Sequence, residues 1–191
     1  MQAFALLLDT LSTTPSRNAK LALLTAYFRT TPDPDRGFAL AALTDGLFPR
    51  LPLRRSLAIL MEGRIDPVLY ALSRDYVGDT AETVALMWPE PDVPSVAPGL
   101  AETVELLASA APADVAQTLG RLLDRLDARG RWALLKLIGG APRVGVSARL
   151  AKTALAEMGR QPLSDIEEVW HALAPPYTDL FRWLSGEKPR P

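Results

Sequence analysis

The chain has no cysteine, a single histidine and few aromatic residues, 7% of 191. Without cysteine it can form neither a disulfide nor a thiolate-ligated metal site, which fits a reducing compartment. A histidine-ligated metal centre has only His171 to draw on, with no second imidazole to complete it. No apolar run approaches the roughly 20 residues of a membrane-spanning helix. The opening stretch Met1–Asp9 carries no basic residue ahead of its leucines and meets an acid at Asp9. It reads as the first helix of a cytoplasmic protein, not as a secretion signal. No alternation of apolar and polar side chains reads as a strand. Walker-type glycine loops, Gly-x-Ser-x-Gly elbows and zincin helices are missing as well. The carboxylate pairs Glu167/Glu168 and Asp33/Asp35 fall on expected surface or loop positions, and His171, after Trp170 on an apolar helix, reads as a core or capping histidine. A stand-alone enzyme therefore finds no catalytic constellation here.

What is present is leucine and alanine, within 48% hydrophobic and 23% charged residues. That composition favours helix in a soluble globular protein. The formal net charge of −1 conceals a segregation along the chain. Residues 1–74 carry +3, residues 75–120 carry −8 with no Lys or Arg, residues 121–152 carry +6 and residues 153–191 carry −2. Local potential, more than the total, steers a polyanion.

Proline and glycine punctuate a series of helical patterns: Gln2–Leu11, a helix with Thr14 as cap and Pro15 at its first position, and a third with Phe38 to Leu47 inward. Further patterns lie near 54–62, 67–74, 79–88, 99–108, 112–126, 131–138, 147–158, 163–172 and 177–184. Phe48–Pro52 reads as a loop. Pro89–Pro94, with three prolines in six residues, cannot continue a helix and is a candidate divide between two lobes. The expectation is an all-α, multi-helix domain of about a dozen short helices over residues 1–186, with 187–191 as a linker.

Three segments offer chemistry. In Lys136–Lys152 a helical pattern stops at Gly139-Gly140, a turn follows through Pro142, Arg143, Gly145 and Val146, and a new helix starts with Ser147 as cap. Gly139 and Gly140 can take positive φ, and Gly145 lets the backbone approach a ligand. Arg149 and Lys152, three apart, share a face, while Lys136 and Arg143 approach from the other side of the turn. Backbone N–H groups and these cations suit a phosphate, although the same pattern also describes a plain corner between two helices with solvated charges. In Thr14–Lys20, residues Ser16, Arg17 and Asn18 occupy a first helical turn. Arg17 and Lys20 there oppose the helix dipole unless an anion intervenes. In Arg74–Glu82, Asp79 with Glu82 reads as a helix cap, and Tyr76 and Gly78 can meet a partner.

Taken in order, Thr14-Pro-Ser-Arg-Asn-Ala-Lys-Leu, Arg74-Asp-Tyr-Val-Gly-Asp-Thr-Ala-Glu-Thr-Val, Gly139-Gly-Ala-Pro-Arg-Val-Gly-Val-Ser and Asp165-Ile-Glu-Glu-Val-Trp-His resemble the N-terminal DNA-binding domain of ATP-dependent DNA ligases, the bacterial members most closely. The resemblance covers nearly the whole chain. It implies an all-helical domain that grips nicked duplex DNA across the minor groove, without sequence preference, in repair or replication. It implies a monomer in the cytoplasm, at the nucleoid, working with catalytic domains of the same ligase. The implied DNA-binding residues are Ser16, Arg17, Asn18, Lys20, Lys136, Gly139, Gly140, Arg143, Gly145, Val146, Ser147, Arg149 and Lys152. The family's adenylated lysine sits in Lys-x-Asp-Gly. None of Lys20, Lys136, Lys152 and Lys188 is followed by that motif, so ATP and Mg2+ belong to a catalytic domain outside this chain and no joining activity is expected here. The alternative is an α-helical protein-interaction scaffold that docks partners on the acidic 75–120 segment.

Overall fold

The computed structural model describes residues 1–44, 47, 53–90, 95–140 and 142–191. Among them the protein is all-α: twelve α-helices and one 3-10 turn, with no strand. The expected loop at 48–52, the proline stretch at 91–94 and Ala141 lie outside the described residues. No helix of the described residues is long and apolar enough to cross a membrane.

The chain forms two compact units. One comprises Met1–Ala5 and Pro49–Gly140, the other Leu6–Phe48 and Ala141–Pro191. The division does not fall at the acidic proline stretch: the residues flanking it on both sides belong to the first unit. Helix α1 (Gln2–Thr13) contributes its first turn to one unit and the remainder to the other.

The first unit holds α4 (Leu53–Met61), α5 (Pro67–Val77), α6 (Thr80–Met87), α7 (Leu100–Ser109), α8 (Val115–Asp124) and α9 (Ala128–Ile138). Here α6 packs on α9, α8 on both α4 and α7, and α5 on α6. Val84, Leu100, Leu119, Leu122, Leu123, Leu134 and Leu135 are all but sealed from solvent; at roughly 1.5–3 kcal/mol for each large apolar side chain, this burial is the main source of cohesion. A guanidinium shares that core: Arg131 is 1% exposed and donates to the carbonyls of Leu123 at 2.9 Å and Trp88 at 3.2 Å. Helix α5 differs from the rest. None of its residues is buried, and Val68, Leu69, Leu72 and Tyr76 point their apolar surface outward.

The second unit holds the rest of α1 with α2 (Arg17–Thr30), α3 (Asp35–Leu43), α10 (Ala148–Gly159), α11 (Leu163–Val169), the 3-10 turn Trp170–Ala172 and α12 (Thr178–Leu184). Leu24, Phe28, Leu40, Ala151, Ala154, Leu155, Ile166, Leu180 and Phe181 form its core. The pairing of α2 with α10 is its most extensive contact. The segment expected as a linker lies along this unit, with Lys188 Nζ donating to Asp179 at 2.7 Å and Arg190 to Glu168 at 2.6 Å.

Several boundaries differ from the sequence expectation. Helix α2 begins after Ser16, not Thr14, because the Ser16 hydroxyl accepts the Ala19 N–H while its backbone stays extended. Helix α3 starts at Asp35 and ends at Leu43, four residues short of Leu47. His171 is exposed on the 3-10 turn and belongs to no core.

Candidate functional site

Helices α2 and α10 run in the same direction. Lys20, in the first turn of α2, meets the turn that precedes α10, and Thr25, farther along, meets Ala154 and Glu157 farther along α10. Their N-termini therefore lie side by side. Each is capped by a serine: Ser16 accepts from Ala19 N–H at 3.3 Å, and Ser147 from Leu150 N–H at 3.2 Å. A cap satisfies one of about four N–H groups left open at a helix start, so others remain.

Between these two starts lies an open depression of about 490 Å³, lined by Pro15, Arg17, Lys20, Gly145, Val146, Ser147 and Leu150. Parallel helix starts superpose the positive ends of two dipoles. Acidic side chains usually offset such an end, yet neither first turn contains one. The chain has no Asp or Glu at all from residue 10 to 32 or from 128 to 156. Lys20 adds to the imbalance. It is 9% exposed, its Nζ donates to the Val144 carbonyl at 2.5 Å, and no carboxylate of the described residues pairs with it. A buried ammonium held by one neutral acceptor retains two N–H donors.

The turn between α9 and α10 is shaped to allow this. Gly140, Arg143 and Gly145 all have positive φ, at 105°, 46° and 68°. Gly139, expected to share that freedom, is right-handed at φ −75° and serves as the cap that ends α9. Pro142 and Val144 are buried and pin the turn, which leaves Arg143 exposed between them. At Gly145 two demands coincide: its backbone is left-handed, and a Cβ would collide with the Lys20 ammonium. Arg143, a non-glycine residue in the left-handed region, is of the kind that clusters at binding sites.

The expected site residues divide between the two units. Ser16, Arg17, Asn18, Lys20, Arg143, Gly145, Val146, Ser147, Arg149 and Lys152 all belong to the second unit. Of these, Arg17, Lys20, Gly145, Val146 and Ser147 line the depression itself. Asn18, Arg143 and Arg149 are exposed, and Lys152 lies 4.2 Å over the ring of Trp170. Lys136, Gly139 and Gly140 belong to the first unit. There Lys136 donates to Asp79 in a short ion pair. Pro15 and Leu150 complete the lining and were not singled out from sequence, since an apolar residue beside a cation carries no motif.

Neither a protein-family model nor a curated protein matches the chain. The reading of the depression rests on its own residues.

The first unit also shows where much of the charge segregation goes. Asp79, Glu90 and Glu102, from the acidic segment, pair with Lys136, Arg131 and Arg125, from the basic one. Chain neighbours of like sign thus meet their opposites within the fold. The segment Arg74–Glu82 borders a second depression, of about 330 Å³, through Arg74 and Thr80, with Arg54 and Tyr70 on its wall. The cap expected at Asp79 is present, with its Oδ1 accepting the Glu82 N–H at 2.9 Å.

Partial burial pushes the Asp79 carboxyl upward, but the hydrogen bonds from Lys136 and from the Glu82 backbone outweigh it, so the group sits below its ordinary value of 3.8. A depressed carboxylate stabilises the fold above the unfolded value and ceases to do so as pH falls through the folded one. Asp79→Asn keeps a capping oxygen and removes the charge. The stability gap between wild type and this variant is expected to be open at neutral pH and to shrink as pH falls below the ordinary carboxylate value of 3.8. Urea titrations along that range measure it, and a gap independent of pH would rule out the ion pair as its source.

Proposed function

We propose that the protein binds duplex DNA through its phosphate backbone, without sequence preference, at the depression between the starts of α2 and α10. One observation carries this reading: two parallel helix N-termini free of acidic side chains face a buried lysine that has no counter-ion among the described residues. An anion resolves all three at once, because it accepts the open N–H groups, opposes both dipoles and neutralises Lys20. A polyanion follows from the surrounding charge. Arg17, Arg143 and Arg149 are exposed and in no ion pair among the described residues, and with Lys152 they flank the depression along the chain.

The ligase context rests on the four ordered motifs of the sequence. In that context the chain positions a nick in duplex DNA, while ATP and Mg2+ serve a separate catalytic domain. The scaffold alternative draws less support, since Asp79, Glu90 and Glu102 of the acidic segment are already paired within their own unit.

The test is a titration of nicked and intact duplexes across salt concentrations. With five phosphates neutralised by Arg17, Lys20, Arg143, Arg149 and Lys152, log K is expected to fall against log[salt] with a slope of roughly −4 to −5. Replacing Arg143 and Arg149 together by alanine should weaken binding to all duplex sequences alike and flatten that slope by about 2. An unchanged slope would remove this turn from the interface, and no binding at micromolar protein in low salt would overturn the DNA reading.

A further inference from the structure

Helix α5 presents an apolar face that its own unit leaves uncovered. Val68, Leu69, Leu72 and Tyr76 lie within one stripe of the helix, at spacings of three and four residues, with exposures from 56% at Leu69 to 93% at Tyr76. The side turned to the fold is thin: of the helix residues only Tyr70, Ser73 and Val77 are half-buried. The second unit, by contrast, exposes a single large apolar side chain among the described residues, Leu6. Together the four α5 side chains offer roughly 600 Å² to solvent, the upper end of what a soluble monomer leaves in one patch.

The arrangement is self-complementary. Leu72 stands midway, with Val68 one turn before it and Tyr76 one turn after. A two-fold axis at Leu72 sets a second α5 antiparallel to the first. Leu72 then meets its own copy, and the small Val68 side chain of each helix meets the large Tyr76 ring of the other. The charge beside the stripe tolerates this symmetry. Asp75 and its copy would stand about 9 Å apart along the helices, and each is already paired with its own Arg74 at 3.3 Å. Two such faces supply roughly 1,200 Å², the lower bound of a specific interface between proteins, and a two-fold pair is the commonest closed assembly. We infer that α5 is a homodimerisation face, on which a second copy of this chain packs its own α5 antiparallel about Leu72. This departs from the monomer that the ligase resemblance implies, and it makes no use of the depression between α2 and α10.

Sedimentation velocity without DNA measures the assembly state across a series of protein concentrations. An interface of this size is expected to associate in the micromolar range, so the mass should rise from 20.7 kDa toward twice that value along the series. Leu72→Glu places two like charges at the axis and should weaken association by about tenfold or more. Leu72 is exposed, so the fold of the single chain should be unchanged, and circular dichroism checks this. The absence of cysteine gives a second readout. Under mild oxidation Leu72→Cys should form a disulfide-linked dimer, whereas Leu106→Cys, exposed on α7, should not. A wild type that stays monomeric well above micromolar concentration would overturn the proposal. So would a dimer that Leu72→Glu leaves intact, or one in which Leu106→Cys cross-links as readily as Leu72→Cys.

Discussion

Gly37→Ala is expected to destabilise the second unit by about 3 kcal/mol or more, enough to consume much of the ~5–15 kcal/mol that holds a typical domain folded. Helix propensity alone argues the opposite sign, since alanine in a helix interior is favoured over glycine by roughly 0.5–1 kcal/mol. The surroundings decide. Gly37 lies in α3 with its Cα against the backbone of Pro176, and a Cβ built there would be driven into the Pro176 carbonyl oxygen. A side chain can rotate out of such a collision, but a backbone carbonyl held by the start of α12 cannot. The contact must separate, and with it the burial of Leu40 in α3 and of Leu180 and Phe181 in α12. Urea unfolding of wild type and variant measures the difference. A variant as stable as the wild type would show that this close approach is not maintained in solution.

The second large effect belongs to Arg131. Its side chain is 1% exposed, while the carboxylate of its partner Glu90 stands in water with a side chain 79% exposed. The ion pair is therefore lopsided, and its two halves are not equivalent. Arg131→Met retains an apolar stem but takes the donors from the Leu123 and Trp88 carbonyls. The Leu123 carbonyl keeps the Leu126 N–H at 3.3 Å while the Trp88 carbonyl loses its donor, and an unsatisfied buried acceptor costs about 1–3 kcal/mol, so a loss of about 2 kcal/mol is expected. Glu90→Ala removes the carboxylate that accepts from both terminal nitrogens of Arg131 but leaves the two carbonyl bonds in place, and should cost less than Arg131→Met. Thermal or chemical unfolding of both variants provides the comparison. Equal losses would mean that the ion pair, and not the carbonyl bonds, anchors this arginine.

The sequence was most legible where a local rule suffices. Ser147 caps α10 as its position before an apolar pattern predicts, and Leu150, Ala154 and Leu155 face the core at helical spacing. The absence of alternation correctly excluded strands among the described residues. Thr14-Pro15 misled because proline at a first helical position is a sound signal, yet Ser16 one residue on offers a competent oxygen and the extended backbone a cap needs. The candidate site was legible in its residues but not in its assembly. Arg17 and Ser147 stand far apart in the chain, and nothing local indicates that α2 and α10 run parallel. Lys136, next to the glycine pair, belongs by sequence with Arg143, but its ammonium is claimed by Asp79, a partner 57 residues away. Charge patterning was likewise read along the chain, whereas electrostatics acts in space, and much of the basic segment meets the acidic one within the first unit.

The parallel pairing of α2 and α10 makes the depression a discontinuous epitope. Its lining comes from residues 15–20 and 145–150, and the Lys20–Val144 hydrogen bond that joins the two halves spans 124 positions. No linear peptide from either segment carries more than one helix start, and both lining cations, Arg17 and Lys20, come from the first. Neither half can be grafted alone onto another scaffold, and no contiguous fragment shorter than the stretch from Pro15 to Leu150 contains the whole. The depression is thus a property of the folded second unit as a whole, lost with the packing of α2 on α10.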